Sequence, residues 1–115
     1  MANTTVIRTA GLTSIIAVTA TSSTAITVAN TTNDQVNFAS FLNVGAKPCA
    51  INVSSLGTAP AAIFPTNGTP GNYVLPANMT YPIVLAVPTA PFSITAICGG
   101  SDTTTLYVTA TADQS

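Results

Sequence analysis

The chain has no histidine and no tryptophan, and among its 115 residues only five carry charge: Arg8, Asp34, Lys47, Asp102 and Asp113. Average usage would put about 29 charged residues in a chain this long. General acid-base catalysis most often recruits histidine, and the three aspartates are far apart in sequence, in turn or tail contexts. Serine and threonine are plentiful, yet only Lys47, in a loop before Pro48, is available to activate one as a nucleophile. No catalytic residue is nominated, and the chain is read as not being an enzyme. Two isolated cations form no basic stripe, so nucleic acid is not an expected partner.

Metal-ligating clusters are missing as well. Cys49 and Cys98 are 49 positions apart with no histidine to join them, and Asp34 with Asn30 and Asn33 offers too little carboxylate for tight calcium binding. The glycines at 68, 71, 99 and 100 precede neither a helix nor a phosphate-binding lysine and are read as turn residues. No cofactor or metal site is therefore expected. Two cysteines are too few for a disulfide framework, and buried free thiols are the default reading. No apolar run approaches the roughly 20 residues of a membrane helix. The best leader candidate, Leu12 to Ala20 after Arg8, is diluted by Thr13, Ser14 and Thr19, so no signal peptide is expected.

What is present is β-forming and apolar. The chain is 47% hydrophobic at net charge −1, which excludes disorder, and Val, Ile and Thr make up 40 residues. Such β-branched side chains lose rotamer freedom in helices and pack well on a pleated surface. A folded chain of this mass exposes roughly 5,800 Å², enough for one core and no second domain. Expected strands are 15–21, 25–29, 36–44, 49–53, 62–64, 73–75, 83–87, 92–98 and a last one through Leu106, Val108 and Ala110. In 36–44 the even positions Val36, Phe38, Ser40, Leu42 and Val44 read as the buried face, with Phe41 an exception on the other side. Cys49 reads as core-facing. Gly99-Gly100-Ser101-Asp102 predicts a hairpin between the last two strands. Residues 30–35 read as a polar connection, and 56–72, with three prolines and three glycines, as a long exposed loop. The fold class that follows is all-β: a single antiparallel β-sandwich over 1–115, jelly-roll or Ig-like, with about eight short strands.

A surface this poor in charge is built for contact, because soluble monomers keep charge outside and interface cores shed it. Candidate interface residues are Phe41, Tyr73, Met79, Tyr81 and Tyr107. The segments Phe38 to Val53, Leu75-Pro76-Ala77 leading into Tyr81 to Val87, and Ser93 to Ala110 with its Gly-containing turn before a Thr-rich strand resemble the small β-sandwich virion proteins of tailed bacteriophages. Those proteins decorate or cement heads. The resemblance spans about two thirds of the chain. It implies a virion protein made in the host cytoplasm that binds the major capsid protein or another shell protein and bridges capsid subunits as a homo-oligomer, dimer or trimer. A membrane partner is not expected. Docking is expected through a strand edge or the loop 56–72, with the Thr-rich face left in water. The same composition would serve another phage appendage, such as a head fibre base, tail tube or adaptor component, or a secreted β-sandwich binding module.

Overall fold

The computed structural model describes residues 7–31, 36–57 and 60–113. Eight strands are formed: β1 (Ile7–Val18), β2 (Ile26–Val28), β3 (Phe38–Asn43), β4 (Cys49–Ser55), β5 (Tyr73–Leu75), β6 (Ile83–Ala86), β7 (Phe92–Cys98) and β8 (Thr104–Asp113). They form two four-stranded sheets, β1-β8-β3-β6 (sheet A) and β2-β7-β4-β5 (sheet B), with every pairing antiparallel. The nested pairs β1:β8, β2:β7, β3:β6 and β4:β5 give the strand order of a jelly roll, which settles the choice left open by periodicity. β1 stacks against β2 and β7, so β5 and β6 lie together at the opposite side of the sandwich.

The core is the layer between the sheets. From sheet A it takes Ala10, Ile16, Val18, Ala39, Phe41, Leu106, Val108, Ala110 and Ala112, and from sheet B Val28, Cys49, Ile51, Leu75, Phe92, Ile94, Ala96 and Cys98. Alternation builds these faces: in β7 Phe92, Ile94, Ala96 and Cys98 point inward, and in β8 every even residue from Thr104 to Ala112 is buried. Each fully buried large side chain adds about 1.5–3 kcal/mol. The exposed area of 6201 Å² is close to the value expected from mass.

Four local expectations are corrected. In β3 the inward face is Ala39, Phe41 and Asn43, not the even set, so Phe41 is a core residue and no interface residue. The even set looked more apolar, but the pairing of β3 with β8 decides the side: Ala39 pairs with Ala110 and Phe41 with Val108, both inward. The turn at 99–102 does form, with Gly100 at φ 58 and the Asp102 N–H donating to the Gly99 carbonyl at 3.1 Å. It joins no hairpin, however, because β7 pairs with β2 and β4 while β8 pairs with β1 and β3; the turn carries the chain from one sheet to the other. Residues 62–64 form no strand, and β1 starts at Ile7 rather than at 15. Its first half escaped the alternation test because of an irregularity: Thr9 pairs with Thr111 and Thr13 with Thr109, leaving three residues of β1 opposite one of β8. Gly11 sits there under the Ala29 carbonyl, which leaves no space for a side chain.

Candidate functional site

Each sheet has an outer face, and the two differ. Over sheet B runs the segment 60–72. Thr95 of β7 donates its hydroxyl to the Pro60 carbonyl (2.8 Å), Asn52 of β4 donates to the Ala61 carbonyl (3.3 Å), and the Ala62 N–H reaches the Ser22 hydroxyl at 2.9 Å. Ala62 is buried, and Phe64 lies so close over Gly99 that an added Cβ would stand 2.8 Å from its ring. The segment then folds back on itself: Ile63 and Asn72 bond to each other, and Thr66 and Thr69 exchange N–H···O bonds of 3.0 and 2.9 Å. The base of the expected exposed loop is thus tied to the sheet through Ala62 and Phe64, while Leu56, Pro60, Ala61, Ile63 and the turn from Thr66 to Gly71 are exposed, as the sequence suggested.

Sheet A is more open over its middle, although at the end near the β1 irregularity Thr111, paired with Thr9 and Phe38, is buried at 1% exposure. Its outer face is formed by Thr13, Ile15 and Ala17 of β1, Thr105, Tyr107 and Thr109 of β8, Phe38, Ser40 and Leu42 of β3, and Val84 and Ala86 of β6. Register aligns them in cross-strand rows: Ile15, Tyr107 and Leu42 make one, and Thr13, Thr109, Ser40 and Val84 the next. The hydroxyls of Thr13 and Thr109 are 2.8 Å apart, which confirms that the two residues share this face. None of these eleven residues is charged. Ile15 is 62% exposed and Val84 37%, and the β1 irregularity turns Leu12 out to 77% exposure. The ion pair between Lys47 and Asp102, 4.0 Å apart, lies at one end of the sandwich, on the turns that cross between the sheets.

Of the expected contact residues, only Tyr107 belongs to this face, where it is half-buried. Phe41 lies beneath it in the core. Tyr73, 51% exposed on β5, and Tyr81, 81% exposed before β6, lie on the short-strand side of the sandwich. Met79 is half-buried against the core, and its sulfur accepts the Asn43 N–H at 3.3 Å, so it anchors the β5–β6 connection instead of offering a contact. Sequence reasoning missed Ile15 and Leu42. Ile15 lies in an Ile-Ile pair where alternation gives no side, and Leu42 belongs to the more apolar even set of β3, which alternation alone points inward.

Cys49 and Cys98 are buried free thiols, as the sequence suggested. Burial, followed by the neighbouring Cys98, pushes Cys49 up to about 12, and burial, followed by the Asp102 carboxylate, raises Cys98. Among the described residues no group of three His, Cys, Asp or Glu side chains is placed to hold a metal ion. Asp34 and Asn33 lie outside the described residues. No helix of the described residues is long and apolar enough to cross a membrane. No family model, no curated protein and no solved structure matches the chain.

Proposed function

We propose that this chain is a non-enzymatic structural protein of a virion, of the decoration or cement kind, which binds the surface of an assembled shell through the outer face of sheet A. The observation that carries the reading is the asymmetry of the two sheets: segment 60–72 is hydrogen-bonded over sheet B, whereas the middle of sheet A presents eleven uncharged outward residues with the row Ile15, Tyr107 and Leu42 among them. Jelly rolls serve in capsids, lectins and cupins alike, so the fold selects no role by itself. The face is more selective. The Thr and Ser rows carry no charge to desolvate, their hydroxyls can hydrogen-bond to a partner's polar groups, and Ile15, Tyr107 and Leu42 supply the apolar area that interface cores use.

A stable contact covers about 800 Å² on each partner, about an eighth of the 6201 Å² exposed. Affinity for the assembled shell alone stabilises that state by mass action, and many copies make weak contacts strong. The proposed docking face departs from the expectation that a strand edge or the loop 56–72 docks while the Thr-rich face stays wet.

The test has two readouts. Mass spectrometry of density-banded virus particles should find the chain in fixed ratio to the major shell protein, and sedimentation at high micromolar concentration should show a dimer or trimer. Ile15→Lys with Tyr107→Lys should abolish retention on particles while the melting temperature changes little. A solitary monomer absent from every particle fraction, or a double variant that is retained in full, defeats the proposal.

A further inference from the structure

Cys49 opens β4 and Cys98 closes β7, and the antiparallel register sets them directly opposite one another. Backbone hydrogen bonds show which kind of pair this is. The Cys98 N–H donates to the Thr19 carbonyl (2.8 Å). Two residues earlier, the Ala96 carbonyl accepts the Ser23 N–H at 2.9 Å and the Ala96 N–H reaches the Ser23 hydroxyl at 3.0 Å. Even-numbered residues of β7 therefore turn their backbone groups away from β4. In an antiparallel ladder this makes Cys49 and Cys98 a non-hydrogen-bonded pair, in which Cα atoms stand about 4.5 Å apart and side chains are closest. A disulfide requires Cα atoms roughly 4.4–6.8 Å apart. Both side chains lie on the core face of sheet B and are free thiols, with Cys98 Sγ 3.9 Å from the Val18 carbonyl of the facing sheet.

We propose that Cys49 and Cys98 are a disulfide-forming modification site, closed by exchange with a small-molecule disulfide while the chain is unfolded or sheet B is open, and sealed in the core once the sandwich is complete. In the first step one cysteine thiolate attacks the small disulfide, forming a mixed disulfide and releasing one small thiolate. In the second, the other cysteine thiolate attacks the protein sulfur of that mixed disulfide, forming the Cys49–Cys98 bond and expelling the second small thiolate. The two cysteine protons pass to the two leaving thiolates, and two electrons move from the protein to the small disulfide. In the folded state the reaction is blocked twice over. Neither sulfur is open to an attacker, and burial keeps the raised thiol of Cys49 protonated rather than in the reactive thiolate form. The bond would clamp the two middle strands of sheet B, independently of what the outer face of sheet A binds.

The experiment refolds the full, reduced and denatured chain in oxidised with reduced glutathione, or in dithiothreitol as control, and reads intact mass and melting temperature. The glutathione product should be a monomer lighter by two hydrogen atoms, with no thiol left to alkylate in denaturant and a melting temperature raised by roughly 10 °C. Already folded protein given the same mixture for the same time should yield about a tenth of that product or less. The same protein held in urea at its midpoint, where half of the molecules are unfolded, should react at about half the rate of the fully unfolded chain. Cys49→Ala and Cys98→Ala should each give only a glutathione adduct. Wild-type chain that ends as glutathione adducts or disulfide-linked dimers, or whose closed form melts lower, overturns the site; equal rates from folded and unfolded protein overturn the sealing.

Discussion

Thr104, the first residue of β8, donates its hydroxyl to the side-chain oxygen of Asn43, the last residue of β3, across 2.6 Å in the buried interior. The same oxygen accepts the Gly45 N–H at 3.2 Å, and the Asn43 amide donates to the Lys47 carbonyl at 2.9 Å and the Pro76 carbonyl at 3.0 Å. All four hydrogen-bonding positions of the amide are filled. One buried side chain thus ties together β3, the turn into β4, the β5–β6 connection and the start of β8.

Removing this hub is expected to be among the most damaging single changes. Asn43→Ala strands the Lys47 and Pro76 carbonyls and should cost about 3–5 kcal/mol, whereas Thr104→Val removes one donor and should cost about 1–2 kcal/mol. Urea denaturation of both variants and the double variant checks this. The double variant should lose less than the sum, because Thr104 has no amide to bond once Asn43 is gone.

Gly45 is required for the same hub. A Cβ there would run into the Thr104 hydroxyl and come within 2.9 Å of the Thr104 backbone. Gly45→Ala should therefore cost about 2 kcal/mol or more by displacing Thr104 from Asn43. Gly57→Ala, at φ 92 with open space around it, should lose stability only through backbone strain, by about 1 kcal/mol. Thermal melts of the two variants separate crowding from strain.

The two aromatic readings of the sequence diverge in stability. Phe41→Ala should cost about 3–5 kcal/mol, since the ring is fully buried between the sheets. Tyr81→Ala, at an 81% exposed position, should stay within about 0.5 kcal/mol. Chemical denaturation of both variants tests the reassignment of Phe41 to the core; near-equal losses would contradict it.

The segment 60–72 over sheet B should be separable from the sandwich. Phe64→Ala removes the ring that covers Gly99 and is expected to expose residues 61–65 to protease and to speed amide exchange at Ala62 and Ile63, while β3 and β8 keep their protection. Hydrogen exchange with limited proteolysis reads both.

Alkali should weaken the fold through its thiols. Cys49 titrates at about 12 when folded, against 9.0 as its ordinary value, so between those values the unfolded chain gives up a proton that the folded chain keeps. Stability from this group is complete below about pH 9 and falls as pH rises toward 12, at no more than about 1.4 kcal/mol per pH unit. Urea midpoints measured from pH 7.5 to 10.5 should fall less steeply in Cys49→Ala than in the wild type.

The sequence by itself determined the all-β class, the approximate positions of most strands, the inward side of β4 through Cys49 and the shortage of catalytic and phosphate-binding groups. Composition and alternation carry that information because pleated strands have a period of two and β-branched residues fit them. Only the tertiary structure decided which face of β3 is buried, since Ala39, Phe41 and Asn43 are inward by virtue of their pairing with β8 and their hydrogen bonds to distant turns. It alone showed that the glycine turn at 99–102 crosses between sheets, because the same turn chemistry serves a hairpin and a corner. The uncharged face of sheet A was likewise invisible in the chain: Ile15, Tyr107 and Leu42 meet only because three strands far apart in sequence share one register, and no local pattern encodes a contact between residues 92 positions apart.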